Sequence, residues 1–186
     1  KTFTVSRIVE RLAAARGLEV VETPVGFKYI VDAMLEGDVL IGGEESGGIG
    51  VGGHLPERDG LANALLLLEA VATTGEGLAE AFGRLEDETG WRHAYDRLDL
   101  HLSGDESPQE VVQRVGAAQG SFAGWSVASS EDLDGLKLNL SRAGSVSAWL
   151  LFRASGTEPL LRVYCEAPSS ADVAAILEDA RRIVFG

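Results

Sequence analysis

Apolar positions recur at helical spacing at the start of the chain, where Val5, Ile8, Val9 and Leu12 mark one face as far as Gly17. Residues 18–22 then form a short run of strand propensity ended by Pro24, so a helix followed by a strand is expected. Residues 27–35 are mixed and amphipathic, and residues 38–41 read as a brief buried strand that runs directly into glycine-rich sequence. After Asp59-Gly60 a helix resumes through Leu65, Leu68 and Ala72, and Leu78, Ala81, Phe82 and Leu85 outline another. Between residues 91 and 102 the period changes to two, with Tyr95, Leu98, Leu100 and Leu102 apolar among polar neighbours. Ser107-Pro108-Gln109-Glu110 is a capping box with proline at the first helical position, opening a helix through Val111, Val112 and Val115. Strands are expected over 125–128, 136–140, 147–152 and 160–166. A helix after Ser169 then closes the chain, with Val173, Ile176, Leu177, Ala180 and Ile183 on one face.

Helices and strands are interspersed in the first half, which makes it α/β, whereas the second half is a run of strands flanked by two helices, a small α+β sandwich. The polar Ser-Gly-Asp-Glu-Ser stretch marks the boundary, giving a first domain over 1–92, a linker over 93–103 and a second domain over 104–186. The loop that follows the strand at 38–41 occupies the position where α/β folds place ligands.

With 45% hydrophobic and 24% charged residues in 186, the composition is that of a globular chain and excludes collagen, coiled coil and disorder. Acidic residues outnumber basic ones 29 to 16, a net charge of −13 that repels polyanions, so no nucleic-acid partner is expected. A local arginine cluster could still capture a small anion at contact distance. Cys165 stands alone, which rules out an intrachain disulfide and fits a reducing, cytoplasmic location. The longest apolar stretch, residues 64–72, is broken by Glu69 and is too short to span a bilayer, so no membrane partner is expected either. The chain opens Lys1-Thr2-Phe3 with neither an initiator methionine nor a secretory pattern, which leads us to expect a piece of a longer protein.

Three stretches carry candidate chemistry. In Gly43-Glu44-Glu45-Ser46-Gly47-Gly48, Glu44 and Ser46 lie two residues apart, on one side of the chain if it is extended, and could share the hydroxyls of a polyol; a plain acidic surface loop is the alternative. Gly48-Ile49-Gly50-Val51-Gly52-Gly53 satisfies the dinucleotide fingerprint literally, but no helix is expected to open at its last glycine, and that reading is rejected. His54, Glu57, Arg58 and Asp59 sit at the start of the next helix, where a cation and a helix N-terminus could face an anion, and Lys28 lies on a turn set by Pro24 and Gly26. No metal ligand set is recognised. The strongest signal is Arg153-Ala154-Ser155-Gly156-Thr157-Glu158-Pro159, with Arg162 beyond it. A guanidinium, two hydroxyls and glycine amides there could hold a phosphate, against the alternative of a plain polar hairpin.

In this order, Thr23-Pro24-Val25-Gly26-Phe27-Lys28-Tyr29, Gly43-Glu44-Glu45-Ser46-Gly47, His54-Leu55-Pro56-Glu57-Arg58-Asp59-Gly60 and Arg153-Ala154-Ser155-Gly156-Thr157-Glu158-Pro159 resemble signatures of the α-D-phosphohexomutase family. The resemblance implies a three-layer α/β third domain, incomplete at its start, followed by a fourth domain similar to the TATA-binding protein. It implies that Glu44 and Ser46 grip sugar hydroxyls, that Lys28, His54 and Arg58 line the cleft, and that Arg153, Ser155, Gly156, Thr157 and Arg162 hold the nonreacting phosphate. It further implies an isomerase of carbohydrate metabolism that interconverts hexose 1-phosphate and hexose 6-phosphate through a hexose 1,6-bisphosphate. The family's phosphoserine and its Mg2+-binding aspartate loop are not in this sequence, so the chain by itself is expected to bind without turnover, its partners being a hexose phosphate and the protein's own amino-terminal domains. The Glu-Glu-Ser-Gly form leans towards phosphoglucomutase and away from glucosamine-phosphate mutase. Phosphomannomutase or dual specificity is the runner-up, and a noncatalytic sugar-phosphate-binding module is the alternative from another class.

Overall fold

The computed structural model describes residues 1–102, 106–118, 120–155 and 160–186. They divide into two units, Lys1–Arg92 and His93–Gly186.

The first unit contains α1 (Ile8–Ala15), α2 (Phe27–Glu36), β1 (Ile41–Gly43), β2 (Ile49–Val51), α3 (Gly60–Thr74) and α4 (Leu78–Thr89). The strand expected over 38–41 begins instead at Ile41 and runs into the glycines, because its partner is β2, antiparallel with Ile41 opposite Val51 and Gly43 opposite Ile49. Glycine here is a packing requirement. A Cβ on Gly42 would lie 2.5 Å from Ile30 Cγ2, and one on Gly50 2.9 Å from Met34 Sδ and 3.2 Å from Phe27 Cζ, so only side-chain-free strands let α2 settle on the hairpin. The fingerprint-like glycines thus form strand and turn. The next helix opens only at Gly60, where Asp59 Oδ1 accepts from the Leu61 and Ala62 amides at 3.1 and 2.9 Å.

Residues 18–22 do not form the expected strand. Among the described residues the segment at Lys1 to Phe3 lies beside them, joined by an isolated parallel bridge, Thr2 to Thr23, and strand propensity needs a longer run of pairing to form a strand. Helix α3 carries apolar residues on all sides, yet none is buried, and Leu61, Leu65, Leu66, Leu67 and Leu68 are exposed.

The second unit contains β3 (Ala94–His101), α5 (Pro108–Ala118), β4 (Ser121–Phe122), β5 (Trp125–Glu131), β6 (Leu136–Arg142), β7 (Ser145–Ala154), β8 (Leu160–Ala167) and α6 (Ser170–Phe185). Its six strands form one antiparallel sheet in the order β3-β8-β7-β6-β5-β4. The stretch read as a linker, 93–103, is mostly β3, which pairs with β8 from Ala94 opposite Ala167 to His101 opposite Leu160. The alternation noted in the sequence explains this, since Ala94, Leu98 and Leu100 all face the core.

On that face Leu140, Leu150, Phe152, Leu161 and Val163 are wholly buried against Val111 and Val115 of α5 and Val173, Ile176, Leu177, Ala180 and Val184 of α6. Val184 occupies the buried place in the last turn; Ile183 packs at the margin. Ser107 and Glu110 make the expected box: the Ser107 amide donates to Glu110 Oε2 at 2.7 Å and the Glu110 amide to Ser107 Oγ at 3.3 Å. The β4–β5 and β6–β7 turns place Ala123-Gly124 (φ 47°, 80°) and Ala143-Gly144 (φ 53°, 81°) at positive φ, the arrangement that matches strand twist. Ala123 is held in this unfavourable conformation partly by its amide, which donates to Asp179 Oδ2 of α6 at 2.7 Å. Cys165 is buried in the core, which pushes its thiol pKa up. Among the described residues no helix is long and apolar enough to cross a membrane.

Candidate functional site

In the first unit Phe27 at the start of α2, Glu44 of the β1–β2 loop and Arg58 on the approach to α3 meet. The loop is tight: the Glu44 amide donates to Gly48 O at 2.9 Å and the Gly47 amide to Glu44 O at 3.1 Å. Glu44 and Ser46 are therefore not on one side of an extended segment. The turn separates them, leaving Ser46 exposed at the tip while the Glu44 side chain is only 9% exposed beside Arg58, whose Nη1 lies 3.9 Å from Glu44 Oε2. Arg58 stacks over Phe27 with its guanidinium carbon 5.0 Å from the ring centre, so one helix residue and one carboxylate fix an otherwise exposed cation. Gly48 makes room for this, since a Cβ there would lie 2.8 Å from Arg58 Cδ and 3.0 Å from Glu44 Oε2.

Lys28 belongs not to a loop turn but to the first turn of α2, where it is exposed with Nζ 4.6 Å from the Tyr29 ring. His54 Nε2 lies 2.9 Å from Asp59 Oδ2, so the residue that caps α3 also orients the histidine. The amide of Ala62 and then the contact with His54 hold the Asp59 carboxyl below its usual pKa. Thr4 carries no signal in the sequence; its Oγ1 donates to Glu45 Oε2 at 2.6 Å, tying the motif loop to the start of the chain.

In the second unit Arg153 of β7 and Arg162 of β8 are direct cross-strand partners on the face away from the helices, with Asp99 of β3 opposite Arg162 on its other side. Like charges directly opposite are destabilising unless something neutralises them. Arg153 has a counterion, its Nε donating to Asp134 Oδ2 at 2.9 Å with the two side chains 20% and 26% exposed. Arg162 Nε is buried with no hydrogen-bond partner among the described residues. Two guanidiniums side by side, one with a buried unfilled donor, are an arrangement that can accept an anion. The Ser155 amide donates to Leu160 O at 2.8 Å and closes the base of the β7–β8 loop. Gly156 and Thr157, the other two residues expected there, lie outside the described residues. Sequence reasoning misses Asp134; its Asp-Gly turn signal is legible, but nothing local links it to Arg153. Among the described residues no three histidine, cysteine or acidic side chains gather as a metal site.

Two family models match the chain: the phosphoglucomutase/phosphomannomutase alpha/beta/alpha domain III over residues 1–88 and the phosphoglucomutase/phosphomannomutase C-terminal domain over residues 110–183. The chain belongs to the phosphoglucomutase/phosphomannomutase family, as the motifs indicated. Among curated relatives it is 29% identical over 95% of its length to a phosphoglucomutase/phosphomannomutase of Thermococcus kodakarensis and 37% identical over 83% of its length to a phosphoglucosamine mutase of Frankia alni. It spans about a third of their length, 35% and 29% respectively. A crystal structure from Thermus thermophilus, provisionally named a phosphomannomutase, matches all of the chain at 44% identity and a TM-score of 0.80, with 36% of that protein covered.

Proposed function

We propose that the protein carrying this chain is a phosphohexomutase that interconverts hexose 1-phosphate and hexose 6-phosphate, with glucose the preferred sugar, and that these residues hold the end of the substrate that does not react. The Arg153–Arg162 pair with its unfilled buried donor carries the reading. A phosphate dianion between the two guanidiniums would relieve their repulsion and fill the Arg162 Nε–H, an exchange worth more in a partly buried site than in water. Ser155, Gly156 and Thr157 would complete the cradle. Glu44 and Ser46 would accept from and donate to the sugar hydroxyls, with Arg58 against Glu44, and Lys28 and His54 would line the cleft.

Phosphoryl transfer is mostly positioning and charge stabilisation, so gripping the distal phosphate and the ring contributes to rate by fixing the sugar for a partner group elsewhere. The Mg2+ and phosphoserine of the proposed enzyme, and the hexose 1,6-bisphosphate that would pass between half-reactions, would be held by other parts of the protein, which are the proposed partners of these two units. The proposed location is the cytoplasm.

Relatives named phosphoglucosamine mutase also match, so the substrate preference is tested directly. Phosphorus NMR titration with glucose 6-phosphate, mannose 6-phosphate and glucosamine 6-phosphate should rank glucose first, and Arg153→Ala should weaken all three by about tenfold or more. Unchanged affinity in Arg153→Ala would remove the anion site from the proposal.

A further inference from the structure

We propose that the Asp134-Gly135 turn between β5 and β6 is a positioning device for Arg153, which sets the direction in which that guanidinium faces the substrate phosphate. The proposal rests on the reading of Arg153 and Arg162 as the phosphate site. Two independent contacts converge on Arg153 from this turn. Asp134 Oδ2 takes the Nε–H of Arg153 at 2.9 Å, with both side chains mostly buried. Gly135, at φ +111°, lies against the backbone of the same residue: a Cβ there would stand 3.2 Å from Arg153 Cα and 2.5 Å from Phe152 O. No residue with a side chain fits, on either space or conformation. The turn thus touches Arg153 at both ends, its Cα and its guanidinium.

The chemistry of the guanidinium gives this contact its meaning. Nε and the two terminal nitrogens point along different edges of one plane, so a carboxylate on Nε fixes the plane and thereby aims the remaining edge, the one suited to a bidentate anion contact. Arginine otherwise loses rotamer freedom when it binds. Asp134 makes that ordering part of folding. It also keeps Arg153 from swinging away from its like-charged neighbour Arg162 when no anion is present.

A carboxylate beside an anion site also repels the anion, so pre-ordering and repulsion predict opposite signs. If Asp134 positions Arg153, Asp134→Ala weakens binding; if it only adds negative charge, Asp134→Ala tightens it. The experiment is a double-mutant cycle on the protein, with glucose 6-phosphate and inorganic phosphate as probes, comparing Asp134→Ala, Arg153→Ala and the double variant by calorimetric titration. We expect Asp134→Ala to weaken glucose 6-phosphate binding about three- to tenfold and to have no further effect once Arg153 is alanine. Asp134→Asn keeps an acceptor for Nε–H and the side-chain shape, so it should restore most of the loss; it also serves as the test if Asp134→Ala fails to fold. Tighter binding in Asp134→Ala, or a loss that persists undiminished in the Arg153→Ala background, would overturn the positioning role. No effect of Arg153→Ala itself would instead remove the phosphate site on which the proposal rests, so the two failures are told apart.

Discussion

The two units solve the problem of burying apolar surface differently. In the second, every strand has a partner in one sheet, β3 reaching as far along the chain as β8, and Leu140, Leu150, Phe152, Leu161 and Ile176 are wholly enclosed. In the first, the enclosed apolar residues are few, Phe3, Ile8, Phe27, Ile30 and Trp91 among the described residues, while α3 exposes all five of its leucines. Apolar content alone therefore says little about stability; what counts is whether a segment's partners are at hand. The candidate site residues follow the same division. Arg153 and Arg162 project from central strands with a core beneath them, whereas Ser46 and Lys28 sit on a loop tip and a helix end.

Paired substitutions break this comparison most sharply. Leu150→Ala should cost about 2–5 kcal/mol because the sheet and its helices cannot collapse onto the void, whereas Leu66→Ala in α3 should stay within about 0.5 kcal/mol. Denaturant titration of both variants checks it, and equal losses would show that α3 is enclosed in solution. Next in size, Gly42→Ala should destabilise the hairpin and α2 by about 1–3 kcal/mol, read as faster amide exchange in α2 with α6 unaffected.

The smallest effect concerns acid. The Ser169 hydroxyl at 2.6 Å, followed by Arg142 at 2.7 Å, holds the Asp172 carboxyl below its usual pKa. A depressed folded pKa adds stability that is fully present above about pH 4 and is lost as pH falls through the folded value. Asp172→Asn should therefore show a shallower loss of thermal stability between about pH 5 and pH 2. A profile parallel to that of the unsubstituted chain would contradict it.

Much of this fold is legible in the sequence because its signals are local. The Ser107 box, the Ser169 start of α6 and the period-two run at 94–101 each require only a few consecutive residues to be read. The run at 94–101 nevertheless reads as a linker, since half of its positions are polar and half of a strand's pattern is set by a face whose cover the sequence does not reveal. Residues 18–22 mislead in the opposite sense, carrying strand propensity while the chain beside them pairs only through an isolated bridge at Thr23. The site divides along the same lines: the motif residues are identified by type and order, but the burial of Glu44 under Arg58 and the grip of Asp134 on Arg153 link residues 14 and 19 apart, and no periodicity reports such pairings.

Both arginines belong to strands rather than to the segment that joins them, and the Ser155 amide closes that segment on Leu160 O. The spacing of the two guanidiniums is therefore set by strand pairing alone, so a substitution outside β7 and β8 that leaves the sheet intact also leaves their register intact.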